Sequence, residues 1–214
     1  MLSFTAALFD MDGTLLDSMG VWADVDRHFF ESRGMTVPED YAHSISGLSF
    51  RQTAVYTKER FHLPESVDEI LAEWNEMCEK EYVLNVLLKK GAKEYLLKLK
   101  KEGVKLAVAT ALPERLYKPA LLRNGVYDLF DAFASTDEAG ERKSTGRVYL
   151  LAAERLGVKP QECCVFEDIT DGIIGAKNAG MKAVLVKDEA NEKSRKESMH
   201  IADAYLEAYA DWTK

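Results

Sequence analysis

The run Ala7-Leu8-Phe9-Asp10-Met11-Asp12-Gly13-Thr14-Leu15 constrains this chain more than any other. An apolar, strand-like stretch ends on two carboxylates one residue apart, and a glycine turn follows at once. On an extended segment residues i and i+2 point to the same side, so Asp10 and Asp12 are expected to face one small volume. Like charges there repel unless a cation or a proton lies between them. The pair reads as a nucleophile, Asp10, beside a proton shuttle, Asp12.

Four later segments share the buried, strand-like character of Ala6 to Phe9: Lys105 to Ala109, Ala132 to Ser135, Cys163 to Phe166 and Ala183 to Val186. Helical patterns lie between most of them. Tyr95, Leu96 and Leu99 recur at helical spacing before Gly103, while Pro113 to Asn124 and Val148 to Leu156 each run into a glycine, a favoured helix stop. Strands alternating with helices predict a parallel sheet covered on both faces, with right-handed crossovers. Met19 to Asn85 departs from this alternation. It carries helix signals in succession, including Ser49-x-x-Gln52 and Ser66-x-x-Glu69, which match the capping box of a helix start. A helical insertion between the first strand and the rest of the sheet is therefore expected.

In an open parallel sheet ligands bind outside the carboxyl ends of the strands. Asp10 and Asp12 follow the first predicted strand, Thr110 the second, Lys143 lies in the loop after the third, and Glu167-Asp168 follow the fourth. Several carboxylates, a lysine and a hydroxyl at one edge suit phosphoryl transfer. Mg²⁺ prefers hard oxygen ligands, and Asp10, Asp168 and the backbone carbonyl of Asp12 are candidates to hold it, with Glu167 beside it or as an alternate ligand. Asp10 would attack phosphorus, Lys143 and Thr110 would meet the charge on the phosphoryl oxygens, and Asp12 would serve both half-reactions as acid and then base.

The signature Asp10-Met11-Asp12-Gly13-Thr14-Leu15-Leu16-Asp17-Ser18 resembles that of the haloacid dehalogenase superfamily in its phosphatase form. Thr110, Lys143 and Val165-Phe166-Glu167-Asp168 fall where that family's other motifs belong. The resemblance implies a Rossmann-like, doubly wound core of residues 1–17 and 86–214 and a helical cap of residues 18–85. It also implies Mg²⁺ dependence, an aspartyl-phosphate intermediate and a subgroup that includes beta-phosphoglucomutases and sugar-phosphate phosphatases. Thr110, Ala111 and Lys143 are then expected to bind the phosphate, and the cap loop Gly47-Leu48-Ser49-Phe50-Arg51-Gln52 to dip over the site, which makes Gly47 and Arg51 candidate substrate contacts. Beta-phosphoglucomutases carry a histidine where this chain has Trp22, itself close enough to the catalytic run to face the cleft, so simple hydrolysis is favoured over the mutase alternative. The stretch Lys143-Ser144-Thr145-Gly146-Arg147 lacks the prolines and acid that often follow the family lysine, which leaves Arg142 as a rival for the cationic role.

Each candidate has a plainer reading. Asp168, Thr170 or Asp171 could cap a helix, Lys143 sits in a charged run that suits a solvated loop, Arg51 could be a surface helix residue, and Trp22 could be packing. A phospho-acceptor signalling receiver uses a similar set of aspartates, threonine and lysine, but it lacks a helical insertion and a built-in acid such as Asp12. Gly140-Glu141-Arg142-Lys143-Ser144 lacks the glycines of a P-loop.

Composition bounds the partners. The 214 residues carry a formal charge of −8, which disfavours a broad nucleic-acid or anionic-membrane surface. A small phosphorylated metabolite remains the expected partner. No apolar run approaches the roughly 20 residues of a membrane span, and Met1-Leu2-Ser3-Phe4 lacks the basic flank of a secretory signal. Cys78, Cys163 and Cys164 cannot all pair within one chain, so a reducing, cytoplasmic setting is expected, with the cysteines as packing residues. Oligomeric state is open.

Overall fold

Strand residues that are apolar on both sides can be buried only between two helical layers, and that is the arrangement adopted. The computed structural model describes residues 3–192 and 194–212. Its strands are β1 (Ala6–Phe9), β2 (Lys105–Thr110), β3 (Ala132–Ser135), β4 (Cys163–Glu167), β5 (Lys182–Val186) and β6 (Ala204–Leu206). They pair in parallel throughout, in the order β3-β2-β1-β4-β5-β6. The fold is α/β and Rossmann-like. β6 had no counterpart among the expected strands. It is a three-residue edge strand flanked by Asp203 and Glu207, too short to show a pattern, and it is anchored by the Asp203 carboxylate, which accepts the Ala183 N–H at 2.8 Å.

Between β1 and the rest of the sheet lie α1 (Met19–Glu31), α2 (Tyr41–Ile45), α3 (Phe50–Phe61) and α4 (Val67–Leu84). The later helices are α5 (Ala92–Lys101), α6 (Glu114–Arg123), α7 (Thr136–Ala139), α8 (Arg147–Leu156), α9 (Thr170–Asn178) and α10 (Arg195–Ile201). Alternation along the strands divides the core in two. Ala7, Phe9, Leu106, Val108, Cys164 and Phe166 pack with side chains of α5 and α6, and this core continues into α1 and α4. On the other face the small residues Ala6, Ala107 and Ala109 with Leu8 and Val165 meet α8 and α9. The Phe9 and Phe166 rings stack at 4.5 Å on adjacent strands. The three cysteines are free and buried.

Both capping boxes expected from the sequence are formed, at Ser49 with Gln52 and at Ser66 with Glu69. The helical segment also has its own aromatic packing, with Phe30 edge-on to Tyr41 at 5.0 Å and to Phe61 at 4.8 Å. Its chain enters and leaves side by side. Asp17 N–H bonds the Leu87 carbonyl at 2.9 Å and Lys89 N–H bonds the Leu15 carbonyl at 2.8 Å, around an antiparallel bridge between Leu16 and Leu88.

Two substitutions test which contacts carry stability. Phe166→Ala removes one ring of the central stack and is expected to cost about 3–5 kcal/mol, whereas Ser66→Ala removes a helix cap and is expected to cost about 1 kcal/mol. Urea denaturation of both variants checks the ranking, and equal losses would contradict it.

Candidate active site

The register fixes where the acids emerge. Phe9 is level with Val108 on one side and Phe166 on the other, so β1, β2 and β4 deliver their following residues to one edge. The strand order reverses between β1 and β4, which opens a crevice there. Asp10 leaves β1 with its N–H on the Phe166 carbonyl at 3.1 Å. Asp10, Glu167 and Asp168 each bring a carboxylate oxygen within 4.8 Å of the others, and all three are buried. Lys143 Nζ lies 2.7 Å from Asp10 Oδ1 and 2.5 Å from Glu167 Oε1. Lys143, not Arg142, thus reaches the acids. It does so from a short turn at Lys143–Thr145 ahead of α8.

These charges are held by neutral donors. Tyr149 of α8 donates its hydroxyl to Glu167 Oε1 at 2.8 Å. Thr14 donates to Asp168 Oδ1 at 3.0 Å, and Asn191 Nδ2 to Asp168 Oδ2 at 2.6 Å. Gly13 has φ +73°, and a Cβ there would run into the Asp168 carboxylate, so the turn and the close approach both require glycine. Burial pushes the Glu167 carboxyl up to about 7 against the pull of Lys143, with Asp10 adding to the rise. The Asp168 carboxyl is raised well above the usual range by burial and by its acidic neighbours Glu167 and Asp10. For Lys143 burial alone would favour the neutral amine, but Asp10 and Glu167 outweigh it and the ammonium is held more firmly than usual.

Three buried carboxylates against one ammonium leave an excess of negative charge, and the donors are all hard oxygens. That donor set fits a divalent cation such as Mg²⁺. Asp10, Asp168 and Glu167 are the side chains that would hold it.

Asp12 belongs to a different environment. The chain stops being extended at Phe9, because the amides of Thr14, Leu15 and Leu16 all turn back onto the Met11 carbonyl. Asp12 thus follows β1 on a turn rather than on a continued strand, and still lies near enough to Asp10 to feel its charge. Asp12 Oδ1 accepts from the Ser18 and Tyr82 hydroxyls, each at 2.6 Å, and Oδ2 accepts from the Trp22 indole N–H at 2.9 Å. Burial raises its carboxyl to about 6. The bonds from Ser18, Tyr82 and Trp22 oppose the rise, and the nearby Asp10 charge adds to it.

Thr110 ends β2 with its hydroxyl oxygen accepting the Leu112 N–H at 3.1 Å, which leaves the hydroxyl proton for another acceptor. Ala111 follows it at the same edge. Gly47, with φ +72°, offers its carbonyl to the Lys143 N–H at 2.9 Å, and a Cβ on it would sit 2.5 Å from Asp171 Oδ2. The loop is thus docked against the Lys143 turn by backbone contact. Arg142 pairs with Asp171 and donates to the Ser46 carbonyl at 3.2 Å. Asp171 is therefore engaged with the loop and stands outside the group of three acids. Arg51 points away, pairing with Asp68 at 2.8 Å on the exposed side. Its neighbour Phe50 turns inward against Trp22 and Trp74 instead. Trp22 serves Asp12 through its N–H and packs on Phe50 and Tyr82.

Five residues at this site carry no role in the sequence reading: Thr14, Ser18, Tyr82, Tyr149 and Asn191. Thr14 and Ser18 lie inside the signature run, so their position was a usable signal. Tyr82, Tyr149 and Asn191 come from distant helices and loops that only the fold brings in.

Comparison with known proteins establishes the family. The model of the haloacid dehalogenase-like hydrolase family matches residues 7–186. A phosphorylated carbohydrates phosphatase of Thermotoga maritima is 33% identical over 181 residues, covering 84% of this chain and 83% of that protein. Hexitol phosphatase B of Escherichia coli is 28% identical over 214 residues, covering 97% and 94%. Among solved structures, CbbY from Rhodobacter sphaeroides in complex with phosphate superposes with a TM-score of 0.84 at 24% identity, covering 97% of this chain and 96% of that one, a likeness of fold. With a family match across most of its length, the chain belongs to the haloacid dehalogenase-like hydrolases.

Proposed function

We propose that the protein is a Mg²⁺-dependent phosphatase that hydrolyses a small phosphate monoester, of the sugar-phosphate class, through an aspartyl-phosphate on Asp10. The observation that carries this reading is the separation of two carboxylates into two environments at one sheet edge. Asp10 lies with Lys143, Glu167 and Asp168, while Asp12 is enclosed by donors with its carboxyl near 6. Environments that push two acids apart are how one site holds a nucleophile and a proton donor together. The relatives named as phosphatases of phosphorylated carbohydrates and hexitols support the substrate class.

In the first half-reaction an Asp10 carboxylate oxygen forms a bond to phosphorus as the ester oxygen departs, and Asp12 gives that oxygen its proton. In the second, water attacks phosphorus, the now ionised Asp12 takes the water proton, and the acyl-phosphate bond breaks to restore the Asp10 carboxylate. Lys143 and the Thr110 hydroxyl meet the charge on the phosphoryl oxygens. Asp10, Asp168 and Glu167, with the Asp12 carbonyl, would hold Mg²⁺, which would supply Lewis-acid stabilisation of that charge. The helical segment 18–85 acts as a cap. It supplies Ser18, Trp22 and Tyr82 to orient Asp12, and the Gly47 loop shields the Lys143 turn from water.

Hydrolysis is favoured over a mutase reaction because the indole of Trp22 is bonded to Asp12 where a mutase carries a histidine, and Arg51 is turned to Asp68 on the exposed side. A signalling receiver would need a long-lived phosphoenzyme, which an acid/base at position 12 works against. The setting is read as cytoplasmic. In the described residues no helix is long and apolar enough to cross a membrane.

Three measurements test the reading. Phosphate release by Asp10→Asn is expected to fall more than about 10³-fold, and by Asp12→Asn about 10²–10⁴-fold. Substantial turnover by Asp10→Asn would contradict the nucleophile. Chelation is expected to stop turnover and added Mg²⁺ to restore it, so full activity in excess chelator would overturn the metal role. Because Asp12 must be protonated when the ester oxygen departs, kcat/KM is expected to decline as pH rises through about 6. Tyr82→Phe removes a donor that favours the carboxylate, so it should move that decline to higher pH, and a move to lower pH would show the assignment to be wrong.

A further inference from the structure

Lys89 belongs to the returning crossing of the helical segment, where its N–H bonds the Leu15 carbonyl at 2.8 Å. Its side chain leaves the crossing and runs to the loop that follows β5. There Lys89 Nζ lies 2.6 Å from the Lys187 carbonyl and 2.8 Å from Asp188 Oδ2. The pair is mostly buried, with the two side chains 16% and 9% exposed. Asp188 turns the chain with its other oxygen: Oδ1 accepts the Ala190 N–H at 2.9 Å, and the Asp188 carbonyl accepts the Asn191 N–H at 3.3 Å. Asn191 Nδ2 then donates to Asp168 Oδ2 at 2.6 Å, while Thr14 holds Oδ1 at 3.0 Å. Direct contacts so run from the crossing through Lys89, Asp188 and Asn191 to an acid of the cluster.

Among the described residues little else fixes the middle of this loop. At its start the Lys187 N–H bonds the Leu206 carbonyl at 2.9 Å and the Lys187 ammonium pairs with Glu207 on the surface. At its end the Ser194 hydroxyl bonds the Asn191 carbonyl at 3.1 Å. A cavity of about 620 Å³ opens against residues 186–190, with Asp17, Lys90 and Glu207 also on its wall, so the loop is not packed from that side. Removing Lys89 would leave the Asp188 charge and the Lys187 carbonyl without their shared donor, which is costly for groups so little exposed. The Asn191 bond bears on the cluster directly. A carboxylate that accepts one bond on each oxygen keeps a lone pair on each for a cation, and donors that fix a ligand's direction are worth about 10–100-fold in metal affinity.

We propose that Lys89 and Asp188 are positioning residues for Asp168: they hold the loop so that Asn191 keeps the Asp168 carboxylate aimed for Mg²⁺. The inference rests on the metal role proposed above and adds to it two residues outside the cluster on which metal affinity depends. Charge and position make opposite predictions for Lys89. The Asp188 charge reaches Asp168, behind burial and the acids Glu167 and Asp10, so if the pair acted through charge alone, Lys89→Met would uncover a carboxylate near the cluster and tighten the cation. If it acts by position, Lys89→Met weakens it. Calorimetric titration of the full-length protein with Mg²⁺ alone separates the two. Kd is expected to rise about tenfold in Lys89→Met and in Asn191→Ala, to return close to the wild type in Lys89→Arg, and to rise no further when Lys89→Met and Asn191→Ala are combined. A tighter Kd in Lys89→Met, an unchanged Kd in Asn191→Ala, or losses that multiply in the double variant overturn the proposal. An unchanged Kd in Lys89→Met with a lowered Tm of the metal-free protein overturns it too and reduces the pair to a structural role. A wild type that binds no Mg²⁺ overturns the metal role itself, and the inference with it.

Discussion

A single buried ammonium among three buried carboxylates is the constraint on which the rest of the molecule depends. Taking charges out of water is expensive unless they are paired and hydrogen-bonded, and here the pairing is incomplete by design of the sequence. Lys143 satisfies Asp10 and Glu167, while Tyr149, Thr14 and Asn191 align the remaining oxygens. The parallel sheet is what makes the cluster affordable in space. Strands that end level at the reversal of strand order bring residues 10 and 167–168 together without any local contact in sequence.

The second carboxylate of the signature is governed by the other part of the chain. Ser18 and Trp22 at the outgoing crossing and start of α1, and Tyr82 near the end of α4, supply every side-chain donor seen on Asp12. A displacement of α1 or α4 from the sheet edge would strip those donors and change the proton affinity of the group. Gly47 and Arg142 tie the same helical segment to the Lys143 turn and to Asp171. The surroundings of Asp12 and the position of the Lys143 turn therefore both depend on this one helical segment, through a few identifiable contacts.

The sheet was readable in the sequence because its central strands are buried on both faces and leave uninterrupted apolar runs such as Ala6 to Phe9 and Cys163 to Phe166. The short edge strand Ala204–Leu206 left no such trace. The acids and Lys143 were found because the strand-end rule converts a one-dimensional pattern into one edge. What could not be read was direction. Asp12 turns toward the helices because three amides fold back on Met11, and it is Phe50 that faces inward while the candidate contact Arg51 pairs on the exposed side. Capping at Ser49 sets the phase of α3 so that Phe50 meets Trp22 while Arg51 reaches Asp68. A one-residue difference in helix phase rotates a side chain by about 100°, and the Ser49 capping box, read in the sequence only as a helix start, is what fixes it.

The paired crossing at Leu15–Asp17 and Leu87–Lys89 carries a consequence for descent as well as for motion. All the helices from α1 to α4 hang from the sheet by two neighbouring backbone segments. The chain could acquire, lengthen or exchange that whole excursion by changes between these two points, with the order and register of the six strands left intact. Because the same excursion supplies Ser18, Trp22 and Tyr82 to Asp12, any such exchange has to carry these three donors with it.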